Sequence, residues 1–369
     1  MADCYGNQDR FANQYAEALL KETERRVKET ALENNAYIHV PTVYIGGGTP
    51  SVLGEKGIAG LLGGLKAITG GVKEITVEAN PETAGFSFLE SCAINGVTRL
   101  SLGLQSFDET LLKTIGRRGR LSGGLGIAML QKRLLEAKDI FGRGLSLDLM
   151  SGLPGQSIEM LLCDIEKALS FNPGHISLYA LTVEEGTPLA LRSKKINAKK
   201  KDYVDELWIA GKDFLKEAGF EQYEVSNFAI SPACRCIHNT RYWLMKNWLG
   251  IGPAASGTIM NSGDTGIRVS YPPDIQQFVF AVQNGKNPPL IFEKLDRKTI
   301  LKETFLMGYR YCEGPDANLF LQRFGTTIEK TIPKTLDKWQ KRAAHNSMQE
   351  TIMNFLNAFL VDAFLELDN

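Results

Sequence analysis

Hydrophobic and polar positions change period several times along this chain. Over residues 10–33, Phe11, Tyr15, Ala18 and Leu19 share one helical face, and Glu17–Lys21 and Glu24–Lys28 form favourable i,i+4 pairs on the exposed side. That pattern predicts an amphipathic helix. Short strand-like runs follow: YIHV (37–40), TVYI (42–45), EITVEA (74–79), RLSLGL (99–104), LSLDLM (145–150) and HISLYAL (175–181). Helical stretches at 83–95, 108–115, 121–137 and 157–170 separate them. Several of the strands are apolar and β-branched rather than strictly alternating, as expected of a sheet covered on both faces. The repeated βα rhythm predicts an α/β fold with a parallel sheet, left open or curled into a partial barrel.

One junction breaks the rhythm. YIHV and TVYI meet end to end across Pro41, with no Asn, Asp or Gly for a tight hairpin turn. Parallel neighbours need a crossover of roughly a dozen residues, and there is no room for one. A helix of the right size instead precedes YIHV. The pieces of a βαβ unit stand in the wrong order, as if the first crossover were removed or displaced.

Beyond the strands, residues 185–222 are charged and helical, and YEVSNFA (223–229) reads as another strand. Residues 230–290, rich in Gly, Pro, Asn and aromatics, read as irregular structure. From 294 onward the pattern is helical. Three regions result: a barrel-like domain over 1–222, an extension over 223–293 and a small, mostly helical domain over 294–369.

In such a fold, ligands gather at the C-terminal ends of the strands. Those ends carry Gly46-Gly47-Gly48-Thr49-Pro50, Glu78 with Asn80, Gln105-Ser106, Asp148, and Tyr179-Ala180. The glycines admit a ligand to the backbone and equally suit a tight strand-to-helix turn. Glu78 and Asp148 lie among apolar residues, where a carboxylate requires a cation or several donors. Arg99 or Arg117 would serve Glu78 as a purely structural partner. Gln105 can donate and accept at once. The GRRGR run at 116–120 is a solvated loop or an Arg fork for a carboxylate.

The chain balances 42 basic against 42 acidic residues, which supplies no global attraction to nucleic acid. At 43% hydrophobic residues it can fill a sizeable core. No run of 18 apolar residues predicts a membrane span, which leaves room for peripheral membrane contact only. The N-terminal MADCYGNQDR has no apolar core of the signal-peptide kind. Six scattered cysteines do not resemble a secreted disulfide framework, so a cytoplasmic setting is expected. Cys234-x-Cys236 with His238 offers a fragment of a metal site, but two sulfurs one residue apart are read as structural or incidental, and Cys92, Cys163 and Cys312 as small buried hydrophobes. His238-Asn239 with Tyr242-Trp243 offers an imidazole and aromatic rings suited to a haem, or an ordinary packed loop.

Taken in order, YIHVP, YIGGGTPS, EITVEANP, RLSLGLQSFD, LDLMSGLPGQ, HISLYAL, YEVSNFA, HNTRYW and WLGIGPAA resemble the successive signatures of the radical S-adenosylmethionine family. The likeness runs from about residue 37 to 315 and is greatest to the branch of oxygen-independent coproporphyrinogen oxidases and related haem chaperones. It implies a partial (β/α)6 barrel with a small, mostly helical C-terminal domain. It implies S-adenosylmethionine as a ligand, with Tyr37, Gly47, Gly48 and Thr49 beside its methionyl part. Glu78, Gln105, Arg117 and Asp148 would be further ligands, and Ala180 would lie at the adenine. It further implies a [4Fe–4S] cluster, yet the family's Cys-x3-Cys-x2-Cys after YIHVP is absent here. The helix that follows it in the family stands ahead of YIHVP, at Tyr15, Ala18-Leu19 and Glu22, with Cys4 as a remnant of the third thiolate.

The HNTRYW element and the modest length resemble the haem-chaperone side, which implies haem bound through His238 and passed to haem-accepting proteins. The alternative is the oxidase, which would use a 5′-deoxyadenosyl radical for oxidative decarboxylation of coproporphyrinogen III.

Overall fold

A computed structural model of the chain describes residues 2–33, 38–117, 126–183, 189, 201–261, 264–343 and 347–368. It resolves into two compact units. One comprises Val40–Gln222 with Ser226–Arg235, the other Met1–His39, Tyr223–Val225 and Cys236–Asn369.

In chain order α1 (Ala2–Glu33) comes first and β1 (Thr42–Ile45) follows. Among the described residues 38–40 there is no strand, and Tyr37 lies outside the described residues. Of the two end-to-end strands expected at YIHV and TVYI, TVYI forms as β1, while residues 38–40 of YIHV form no strand. Pro41 has no N–H to give a ladder. Its carbonyl instead accepts from Lys73 and Glu74 at 2.8 and 3.3 Å, opening the pairing with the next strand. The apparent disorder of the βαβ pieces disappears with the YIHV strand.

The first unit is built on a seven-stranded sheet. β1, β2 (Glu74–Ala79), β3 (Arg99–Gln105), β4 (Leu145–Ser151) and β5 (His175–Ala180) run parallel, each beside the next in sequence. β6 (Glu221–Gln222) and β7 (Asn227–Ala229) complete it in antiparallel pairing, β7 lying against β5. The connections carry α2 (Gly54–Thr69), α3 (Phe86–Ile94), α4 (Glu109–Thr114), α5 (Ile127–Phe141), α6 (Ile158–Ser170) and α7 (Lys201–Glu217). Of the expected strand YEVSNFA, only Asn227–Ala229 joins this sheet.

Alternation along these strands is stricter than the sequence pattern suggested. Ile75, Val77 and Ala79, Leu100, Leu102 and Leu104, Leu145, Leu147 and Leu149, and Ile176 and Leu178 all point into one core with helix residues such as Leu62, Leu89, Leu134 and Ile165. The intervening positions carry Glu74, Thr76 and Glu78, Arg99, Ser101 and Gly103, Ser146 and Asp148, and His175, Ser177 and Tyr179. Because side chains alternate with period two, one face of the sheet is apolar and the other polar. Both faces are nonetheless covered, as expected: Thr76, Arg99, Ser101, Ser146, His175 and Ser177 on the polar face are buried. Register aligns Glu78 with Ser101, Ser146 and His175, and, one level on, Gly103 with Asp148, Ser177 and Asn227.

At the N-terminal end of the polar face the buried charges are paired, as they must be. Arg99 meets Glu74 at 3.4 Å and donates to the Cys234 carbonyl at 2.6 Å. His175 Nδ1 and Ser146 Oγ lie 2.7 Å apart. Burial, aided by Arg99, holds the His175 imidazole well below its usual range and so neutral.

In the second unit the α1 stripe of Phe11, Tyr15, Ala18 and Leu19 packs with Phe278, Val279 and Val282. Residues 230–290, expected to be irregular, contain α8 (Ile237–Trp243), β8 (Ser256–Met260), β9 (Gly266–Ser270) and α9 (Ile275–Gln283). With β10 (Ile291–Leu295) these strands make an antiparallel three-stranded sheet. Five-residue strands give too few repeats for a period to stand out among Gly and Pro. Downstream helices bury Phe305, Tyr309, Phe320, Trp339 and Phe359 together. Among the described residues, no helix is long and apolar enough to cross a membrane.

Candidate functional site

The glycine loop after β1 is shaped by a carboxylate from the neighbouring strand. Tyr44 Oη donates to Glu78 Oε1 at 2.6 Å, and the Gly47 N–H donates to Oε2 at 3.0 Å. A Cβ at Gly46 would come within 2.6 Å of the Tyr44 ring and 2.9 Å of the Glu78 carboxyl. Gly47 adopts φ +81°, a left-handed conformation that glycine enters without strain. Glu78 is thus engaged by a phenol and a backbone amide. Neither Arg99 nor Arg117, weighed above as partners, is its hydrogen-bond partner here: Arg99 pairs with Glu74.

Thr49, at the end of the same loop, accepts from Asn80 Nδ2 at 3.2 Å. Asn80 Oδ1 lies 3.4 Å from Arg117 Nη2, and Arg117 Nη1 donates to the Gly103 carbonyl at 2.7 Å. Asn80 therefore joins the β1 loop to the arginine after α4. Residues 118–120 of the GRRGR run lie outside the described residues. Gln105 sits at a bulge, where pairing with β4 slips between Gly103 and Gln105, and it adopts φ +66°. A left-handed φ at a non-glycine residue is a strained conformation concentrated at functional positions. Its Nε2 lies 3.1 Å from where a Cβ on Gly103 would stand, so Gly103, Gln105, Asn80 and Arg117 are brought together.

Asp148 faces the same side from β4. Ser101 Oγ lies 3.0 Å from each of its carboxylate oxygens. Its carboxyl is pushed up to about 6, first by desolvation; hydrogen bonds from Ser177 and Ser101 oppose this, repulsion from Glu78 adds to it, and Arg117 counters it. Ala180, the last residue of β5, is exposed at the strand end, level with Ser151. Gly47, Gly48, Thr49, Glu78, Gln105, Arg117, Asp148 and Ala180 all belong to one compact unit and line its strand ends. Tyr37 lies outside the described residues.

Sequence reasoning missed Tyr44, Ser101 and Ser177, the groups that satisfy the two carboxylates. The signal was present: all three occupy the same alternate strand positions as Glu78 and Asp148.

His238 belongs to the other unit, on α8. Its Nε2 lies 3.2 Å from Tyr242 Oη, with the rings edge-on at 5.0 Å between centroids. Tyr242 in turn meets Trp248 at 4.8 Å. The imidazole thus sits at the edge of an aromatic pair, its Nε2 facing the Tyr242 hydroxyl.

Among the described residues a cluster of iron and sulfide finds no matching set of ligands. Among the described residues no three Cys, His, Asp or Glu side chains converge to hold a metal. Cys92, Cys234 and Cys236 are buried, Cys163 is exposed on α6 rather than buried as expected, and the Cys4 side chain lies outside the described residues.

Comparison with known proteins places this geometry. Residues 4–168 match the family model of the Radical SAM superfamily. The chain is 36% identical over 300 residues to the heme chaperone HemW of Buchnera aphidicola subsp. Acyrthosiphon pisum (strain APS), covering 81% of this chain and 74% of that one. It is 28% identical over 353 residues to the heme chaperone HemW of Bacillus subtilis (strain 168), covering 93% and 88% respectively. Among solved structures, coproporphyrinogen III oxidase (HemN) from Escherichia coli, a radical SAM enzyme, matches with a TM-score of 0.74 at 18% identity over 98% of this chain and 84% of that one. The likeness to HemN is one of fold, and it identifies the sheet as the core of a radical SAM-type partial barrel. The chain belongs to the radical SAM superfamily, in its HemW-like branch.

Proposed function

We propose that this protein is a haem chaperone: it binds haem and passes it to haem-accepting proteins, on a scaffold whose strand-end ring binds S-adenosylmethionine. The observation that carries the reading is the convergence of Glu78, Gln105, Arg117 and Asp148 around the Gly46–Gly48 loop, together with 36% identity to a relative named as a heme chaperone. S-adenosylmethionine has a sulfonium cation, an α-amino carboxylate, ribose hydroxyls and an adenine. Glu78 and Asp148 supply acceptors and negative charge for the cationic and hydroxyl parts, and Arg117 supplies a fork for the carboxylate. The open backbone at Gly47 and Gly48, with Thr49, would take the methionyl end, and Ala180 would border the adenine. His238 would ligate the haem iron. The [4Fe–4S] cluster implied by the family has no matching ligand set among the described residues, and no step is assigned to it.

The test is a titration of the full chain with hemin, read by the Soret band, alongside equilibrium dialysis with S-adenosylmethionine. Saturable binding of both, with the Soret shift lost in His238→Ala, is the expected result. Retention of neither ligand would overturn the reading. Decarboxylation of coproporphyrinogen III with release of 5′-deoxyadenosine would replace it with the oxidase.

A further inference from the structure

We infer that Asp164, which lies on α6 outside the strand-end ring, is a positioning residue that sets the geometry of Gln105 and Arg117. The inference rests on the reading of that ring as the S-adenosylmethionine site.

Asp164 is 2% exposed and points at the loop that leaves β3. Its Oδ1 accepts from the Phe107 N–H at 2.8 Å and its Oδ2 from Ser106 Oγ at 2.5 Å. Ser106 Oγ, fully buried, then accepts from the Asp108 N–H at 2.9 Å. Asp108 caps α4 by accepting from Thr110 and Leu111 at 2.8 and 3.0 Å. At the far end of α4 the Arg117 N–H donates to the Leu112 carbonyl at 3.0 Å. Hydrogen bonds at both ends of α4, joined through its backbone, therefore link one buried carboxylate to the arginine of the ring.

The same carboxylate bears on Gln105. That residue immediately precedes Ser106 and holds a left-handed φ of +66° beside a slip in strand register. Such a conformation persists only where its surroundings over-determine it. Asp164 fixes the two residues that follow, and stacking of Phe107 on Phe171, with centroids 6.4 Å apart, fixes the third side of the turn. Released from Asp164, Gln105 would relax toward ordinary strand geometry and its carboxamide would leave Gly103. The effect on ligand binding is indirect: the Asp164 carboxylate bonds Ser106 and Phe107, not the ring residues themselves.

The experiment is a double-mutant cycle on the full chain, with S-adenosylmethionine affinity measured by equilibrium dialysis and thermal unfolding followed in parallel. Asp164→Ala, which removes two acceptor contacts, is expected to weaken binding by about 30-fold, and Ser106→Ala, which spares the Phe107 contact, by about fivefold. In a Gln105→Ala background the further loss from Asp164→Ala should shrink to about threefold, because the side chain it positions is already gone. Losses that simply multiply, or an unchanged affinity in folded Asp164→Ala, overturn the inference. Should Asp164→Ala fail to fold, the same cycle run with Ser106→Ala decides by the same criterion. A wild-type chain that does not bind S-adenosylmethionine overturns the ring reading itself, a result distinct from uncoupled losses in a chain that does.

Discussion

The two faces of the seven-stranded sheet are made from the same strands and obey different rules. On one face Leu100, Leu102, Leu145, Leu147 and Leu149 are fully buried against helices. Their requirement is volume and lack of polarity, which many sequences meet. On the other face the carboxylates depend on particular partners: Tyr44 for Glu78, Ser101 for Asp148, Arg99 for Glu74. The apolar face stabilises the fold, and the polar face spends part of that stability on charges held away from bulk water. A carboxylate such as Asp148 is tolerated there because the leucines on either side of it anchor the strand.

The largest effect should come from the apolar face. Leu147→Ala should destabilise the protein by about 3 kcal/mol in chemical denaturation through lost transfer energy and a cavity. The affinity of the remaining folded protein for S-adenosylmethionine should stay unchanged. A large loss of affinity without loss of stability would break the division between the faces.

Glu78→Ala should do the reverse. Without its acceptor the Gly47 N–H and Tyr44 Oη lose their partner, and binding should fall by about 100-fold while stability changes by only about 1 kcal/mol. Equilibrium dialysis and thermal unfolding on one preparation would separate the two.

Asp148 gives a pH signature of intermediate size. Its carboxyl sits at about 6 against the usual 3.8, so the folded state holds a proton that the unfolded state has released across that interval. The stability tied to this group is complete below 3.8 and is lost as pH rises through 6. The loss is on the order of 1–2 kcal/mol, reduced from the full shift because the side chain keeps an exposed edge. Asp148→Asn should therefore raise the melting temperature at pH 8 and leave it nearly unchanged at pH 4. In the wild type, affinity for the sulfonium cation should drop as pH falls through 6, and in Asp148→Asn that slope should flatten.

The smallest effect tests the hydroxyls. Ser177→Ala removes one donor to the Asp148 carboxylate and should push its titration higher by about half a unit, roughly the worth of one modest hydrogen bond. A shifted midpoint in the pH profile of binding would show it. An unmoved midpoint would mean that desolvation alone sets the value.

Much of this was legible from spacing. The runs at 42–45, 74–79, 99–104, 145–150 and 175–181 became β1 to β5 within a residue, and the helices expected at 83–95, 108–115 and 157–170 formed as α3, α4 and α6. By contrast, α5 ends four residues beyond its expected 137, and α2 (Gly54–Thr69) was not among the expected helices. Glu78, Gln105 and Asp148 were legible as candidates because polar groups in apolar strands need a reason to be there. Failures arose where a segment's state depended on a neighbour. YIHV has strand composition but forms no strand at residues 38–40. The short strands at 256–260 and 266–270 carry too few residues to announce themselves, and pairing with 291–295 makes them a sheet. Cys163 looked like a core residue by type, yet it falls on the outer side of α6.

Chain chemistry settled the order of strands and helices, the family signatures and the residue types available at the strand ends, because periodicity and turn residues act over a few positions. Partnership was settled only in three dimensions. Glu78 bonds Gly47 across 31 residues, Ser101 meets Asp148 across 47, and Asp164 reaches Ser106 across 58. A buried polar group accepts whichever donor the sheet register and helix packing bring within about 3 Å, and no local pattern encodes that register.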